Sequence, residues 1–295
     1  MKTIVGAALG LLAGLLFGQA APVRAAESRI AIVAAENFYG DIARQIGGDR
    51  VSVVSIMSNP SQDPHLFETT PSTVRQIAVA QIVILNGANY DTWMEKLLAA
   101  APGNDRIVIN AARTVGHNPG DNPHLWYDPA TMPAVAAAVA NALARSDGAN
   151  AAEYSERLKT TLSSLEQITR RAEQLRAKHG GSPVTATEPV FGLMARALGL
   201  TMRNERFQLA MMNNIEPSAR DVAAFESDLT GRKVKLLIYN SQVADPLTKR
   251  LRNIATKARI PVIGITETMP ANVNFQDWIR GELDALDKAL SGPNS

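Results

Sequence analysis

The sequence predicts an α/β protein of two lobes, each with a mostly parallel central sheet, linked by a single long spine helix. Two observations carry that expectation. Short continuous apolar runs, "RIAIVAAE", "RVSVVSIM", "IVILNG" and "DRIVIN", alternate with helical segments early in the chain, and "VTATEPV", "KVKLLIYN" and "IPVIGIT" resume the alternation later. Strands covered by crossover helices on both faces read as such runs. Between the halves lies "AAEYSERLKTTLSSLEQITRRAEQLRAKHG", free of Pro and Gly until Gly180, with Leu158, Leu162, Leu165, Ile168, Ala172 and Leu175 at spacings of three and four. One apolar stripe on a rod of roughly 40 Å suits a spine laid across two lobes.

The elements follow in order. Asn37 is placed as the cap of a helix that ends at Gly47-Gly48, and Thr70-Pro71 as cap and first turn of a helix running to about Ala80. "NYDTWMEKLLAAA" and "ATMPAVAAAVANALAR" are the later helices of the first half, before a break at "SDGAN". "FGLMARALGL", "ARDVAAFESDL", "PLTKRLRNIATKA" and "DWIRGELDALDKAL" are those of the second. The bounds expected are a first lobe over 26–148, a linking helix over 149–179 and a second lobe over 180–295.

Residues 1–25 read as a signal peptide. Lys2 precedes an uninterrupted small and apolar run from Ile4 to Phe17, shorter than the ~20 residues of a spanning helix. Small residues place cleavage near Ala25 or Ala26 and the protein in the periplasm. Loss of Lys2 and Arg24 with this leader balances acids and bases, so charge gives no case for nucleic acid. The chain holds no cysteine. That excludes disulfides and thiolate ligands, leads us to expect no lipid anchor, and leaves His, Asp, Glu, Asn or backbone groups to build any metal site.

In open α/β sheets ligands gather beyond the carboxyl ends of strands. Four candidates stand there: His65 in "SQDPHLFETTPS", His124 in "GDNPHLWYDPA", Glu188 after "VTAT" and Glu267 after "VIGIT". Each histidine follows a proline that stiffens its loop. Two imidazoles and two carboxylates would enclose a dication at near-zero net charge, with no position evident for an activated water. With no HExxH, GxSxG, GxGxxG or P-loop phrase in the sequence, binding is favoured over catalysis and no catalytic cofactor is expected. His117 is a candidate assistant. His179 reads as the basic end of the spine helix, and Phe67 and Trp126, each two residues after its histidine, as an apolar shell. A siderophore or metal-chelate binder would instead need Arg203 or Arg206 at a roomier pocket, and a secreted metallohydrolase an open coordination position.

These phrases together resemble the periplasmic solute-binding components of ABC transporters for zinc and manganese. The likeness rests on "DPHLFETTPSTVRQIAVAQIVILNG", "NPHLWYDP", the central helix, "TEPVFGLMARALGL" and the terminal "ETMP" with Trp278. It implies two α/β lobes on a backbone helix, a metal held by His65, His124, Glu188 and Glu267, a monomer, and an inner-membrane ABC permease as partner. Glu188 stands where zinc members typically carry His and some manganese members Glu. The His-rich acidic loop of many zinc members is missing. Harder ligands favour manganese or iron, intrinsic affinity favours zinc, and the expectation is zinc or manganese, with iron behind.

Overall fold

The computed structural model describes residues 29–59, 67–103 and 105–292. The signal segment and His65 lie outside them. The first lobe runs β1 (Ile30–Glu36), α1 (Asn37–Gly47), β2 (Val51–Met57), α2 (Pro71–Val79), β3 (Ile82–Leu85), α3 (Thr92–Ala100), β4 (Ile107–Asn110), α4 (Ala111–Val115) and α5 (Thr131–Ser146). The spine is α6 (Ala151–His179). The second lobe runs β5 (Pro183–Ala186), α7 (Gly192–Ala197), β6 (Thr201–Arg203), α8 (Glu205–Met212), α9 (Ala219–Thr230), β7 (Leu237–Asn240), α10 (Pro246–Lys257), β8 (Val262–Ile265) and α11 (Phe275–Ser291).

Both sheets are four-stranded and every pairing is parallel, in the orders β2-β1-β3-β4 and β6-β5-β7-β8. The two lobes thus repeat one topology. β6 was missed in the sequence because three residues, "TMR", give no apolar run to read.

Local chemistry sets the element ends. Thr70 caps α2 through Thr73 N, with Thr73 returning the bond and Pro71 in the first turn. Asn37 does not cap α1. It is the first helical residue, and its amide crosses to the other lobe, donating to Met269 O at 2.6 Å and accepting from Met269 N at 3.0 Å.

The 29-residue α6 buries Leu165, Ile168, Ala172 and Leu175. It packs on α1 and α5 of the first lobe and on α11 and α7 of the second. One continuous core therefore runs from Phe38 and Trp126 through this stripe to Phe191, Trp278 and Leu283. At the end of α6, His179 is buried and within 2.7 Å of Asp287 on α11, which also pairs with Arg171 at 2.9 Å and Lys178 at 2.8 Å. Hydrogen bonds from Lys178, His179 and Arg171 hold the Asp287 carboxyl well below the usual 3.8.

A depressed carboxyl stabilises the fold fully above its unfolded pKa and loses that contribution as pH falls toward the folded value. Asp287→Asn is therefore expected to lower unfolding free energy by roughly 1–3 kcal/mol at pH 7, and by markedly less only at about pH 2, where the folded carboxyl begins to take up its proton. Urea titrations at the two pH values check this.

Candidate metal centre

The loops that leave β4, β5, β7 and β8 meet between the lobes. His124 is fully buried, and its neighbours fix its tautomer. Asn122 Nδ2 donates to Pro189 O at 2.7 Å while its Oδ1 accepts from His124 N at 3.1 Å, so the amide cannot be flipped without losing both bonds. That same Oδ1 lies 2.7 Å from His124 Nδ1, which must carry the proton. In the neutral ring the lone pair is then on Nε2, which has no hydrogen-bond partner and lies 3.6 Å from Glu267 Oε2 of an equally buried carboxylate. At this depth the pair calls for a positive charge, which either a second ring proton on Nε2 or a cation bound between the two atoms supplies.

Glu267 sits two residues past β8 and is shaped by both lobes. Tyr90 OH of the first lobe donates to its Oε2 at 2.9 Å, and Asn240 Nδ2, from the end of β7, donates to its Oε1 at 2.6 Å. Burial, then the charge on Glu267, pushes the Tyr90 phenol well up, so it stays a donor. Its loop is bolted across the cleft as well, by Tyr127 OH on Thr266 O at 2.7 Å and by the Asn37 bonds to Met269. Glu188, 6% exposed, joins through Asn240 Nδ2, which reaches its Oε2 at 3.0 Å.

Tyr90 reaches this position at a backbone cost. Gly87, Ala88 and Asn89 all take positive φ, of 76°, 50° and 65°. The strain at Ala88, a side chain that seldom enters this region, is the kind retained at sites. A Cβ on Gly87 would meet Asn110 Oδ1 at 2.4 Å.

Of the expected ligands, the structure joins His124 to Glu267 directly and Glu188 to Glu267 through one amide. Among the described residues no three His, Asp or Glu side chains form a ready-made cage. His117 instead faces Asp121 at 3.9 Å. Trp126 does line the site, its ring edge-on to His124 at 5.4 Å, whereas Phe67 stacks on Trp93 at 4.4 Å. Arg203 is held by Asp228 at 2.7 Å and Arg206 stands 3.7 Å from Asp221, so each guanidinium has an acidic partner in its own lobe.

Sequence reasoning missed Asn122, Tyr90, Asn240 and Glu36. The last two end strands β7 and β1, so the carboxyl-end rule that found the acids could have found them. Glu36 is fully buried with neither oxygen hydrogen-bonded to a donor, and burial and the nearby Asp91 raise its carboxyl well above the usual range.

Residues 32–289 match the family described as zinc-uptake complex component A, periplasmic. The chain is 24% identical over 287 residues to the manganese ABC transporter substrate-binding lipoprotein PsaA of Streptococcus anginosus, covering 89% of this chain and 90% of that one. Its fold is that of the periplasmic zinc-binding protein TroA of Treponema pallidum, with TM-score 0.73 at 20% identity over 89% of this chain and 99% of that one. The same holds for FpvC of Pseudomonas aeruginosa in complex with Mn²⁺, with TM-score 0.73 at 19% identity over 90% and 99%.

One expectation is corrected here. Relatives covering most of the chain are named lipoproteins, so the expectation of no lipid anchor is overturned. The physical fault lay in passing from a missing cysteine, which bears on one attachment chemistry, to freedom from the membrane. Matched along nearly its whole described length, the chain belongs to the periplasmic zinc-uptake component A family: it is a metal-binding component of an ABC transporter, acting outside the cytoplasm, and not an enzyme.

Proposed function

We propose that the chain captures one divalent transition-metal ion between its lobes through His65, His124, Glu188 and Glu267, and presents it to an inner-membrane ABC permease. The observation that carries this reading is the buried His124 Nε2, without a hydrogen-bond partner and 3.6 Å from Glu267 Oε2. A cation satisfies both atoms at once. The cargo is zinc or manganese: relatives are named for each, and two imidazoles with two carboxylates suit both. The two lobes, over 26–148 and 180–295, each contribute one pair of ligands, and the leader is removed near Ala25 or Ala26.

The test is the stoichiometry and identity of bound metal, read by mass spectrometry on protein stripped and reloaded with Zn²⁺ or Mn²⁺. One equivalent is expected in the wild type, and none retained through a desalting column in His65→Ala or Glu188→Ala. One full equivalent in both variants would remove the cleft from consideration.

A further inference from the structure

We infer that the end of the second lobe remote from the cleft is a docking surface for an anionic phospholipid bilayer. The strands of that lobe are parallel, so all four start toward one edge of the sheet, while Glu188, Asn240 and Glu267 lie at or beyond the other. Lys235 to Asn240, as extended chain, spans roughly 16 Å between them. Five exposed cations gather at the starting edge: Arg176, Arg232, Lys235, Lys257 and Arg259. Arg232 Nε donates to Ala258 O at 2.8 Å, between Lys257 and Arg259, and Lys235 N donates to Pro183 O at 2.8 Å, level with the start of β5. Arg176 completes the row where α7 turns into β6, its Nη1 3.5 Å from Ala197 O.

None of the five has an acidic partner among the described residues. Asp228, an acid of this end, is taken by Arg203 and Lys233, and Asp287 by Arg171, Lys178 and His179. Cations complement the carboxyl ends of helices, which accounts for Arg176 and Lys257 in the last turns of α6 and α10, and for Arg232 on Ala258 O. Lys235 and Arg259 close no helix. The matching end of the first lobe is of mixed sign: Arg50 and Arg157 both bind Glu153 at 2.7 Å, and Asp49, Asp105 and Asp147 stand among the other arginines. The topology that both lobes share therefore does not itself call for a basic end.

A patch as wide as a four-stranded sheet, about 14 Å from first strand to last, exceeds what one small anion can contact. It fits an extended anionic surface, and outside the cytoplasm a bilayer carrying phosphatidylglycerol presents one. Each Lys or Arg brought to such a surface strengthens adsorption about fivefold, so five give reversible, salt-sensitive attachment. Adsorption through this end leaves the cleft edge free to load an ion. The inference stands whichever residues ligate the metal.

The experiment sediments the purified chain, without its leader, with vesicles of phosphatidylcholine alone or mixed with phosphatidylglycerol. Wild type is expected to sediment only with the anionic vesicles, and to be released as the Debye length shrinks from about 10 Å at 0.1 M salt to about 3 Å at 1 M. The double variant Lys235→Glu, Arg259→Glu should lose at least about 20-fold in partition coefficient, with its thermal midpoint and metal stoichiometry kept. Arg29→Glu with Arg145→Glu makes the same change in net charge on the first lobe, and should retain most of the binding.

Absence of wild-type binding to the anionic vesicles, or equal binding to phosphatidylcholine alone, would overturn the inference. Equal losses in the two double variants would do so as well, since net charge and not this surface would then be acting. Displacement by inorganic phosphate at matched ionic strength would mark a small-anion site instead. Binding only to vesicles that carry the permease would assign the surface to an acidic protein face, and the bilayer would be the wrong partner.

Discussion

His124→Ala is expected to weaken binding of zinc and of manganese by more than about 100-fold, and Asn122→Ala by about 10- to 100-fold. The order follows from the geometry. Removing the ring removes the donor atom itself. Removing Asn122 leaves the donor but frees its tautomer, because the amide oxygen 2.7 Å from Nδ1 is what keeps the proton off Nε2. It also releases the Pro189 carbonyl next to Glu188, so both lobes loosen at once. Competition with a chromophoric chelator at fixed pH measures both. If the Asn122 variant lost more than the His124 variant, the ring would be acting as a scaffold rather than as a ligand.

The fold was largely legible because its signals are local and repeated. Nearly every sheet strand is an apolar run, and α6 announces its register in one stripe. Glu188 and Glu267 could be found because a carboxylate just past a strand is a residue type in a place. The rest of the site was hidden for a physical reason. Tyr90, Asn122 and Asn240 act through bonds to groups 177, 67 and 27 residues away, respectively. No spacing rule in one chain records which side chains a tertiary fold will bring together. Asn37 shows the same limit from the other side: its position is a good helix cap, yet pairing with the Met269 backbone satisfies the whole amide at once.

Glu282 should give the chain a stability that declines with rising pH, and Glu282→Gln should abolish much of the decline. The residue lies on α11 with its carboxyl at the inward end. Oε1 accepts from Trp278 Nε1 at 2.9 Å and weakly from Thr266 N at 3.4 Å, while Oε2 is shut off from solvent with no partner. Burial raises its pKa from the usual 4.5 to about 8, against the lowering effect of the neighbouring Tyr127 hydroxyl and of the Thr266 and Trp278 bonds. The folded state therefore holds a proton that the unfolded state has already released. Stability falls wherever the native state binds more protons, so the loss runs from about pH 4.5 to about pH 8 and is complete above it. The full span corresponds to at most about 5 kcal/mol, reduced by any water that reaches the carboxylate. Glu36, and Asp91 with its pKa raised to about 6, add slopes of the same sign, so the informative quantity is the difference between variant and wild type. The substituted amide would keep an acceptor for Trp278 Nε1 and could not ionise. The variant should match the wild type near pH 4.5 and exceed it increasingly up to about pH 8.5 in thermal unfolding followed by circular dichroism. Parallel curves across that range would mean that the carboxyl opens to solvent and never carried the penalty.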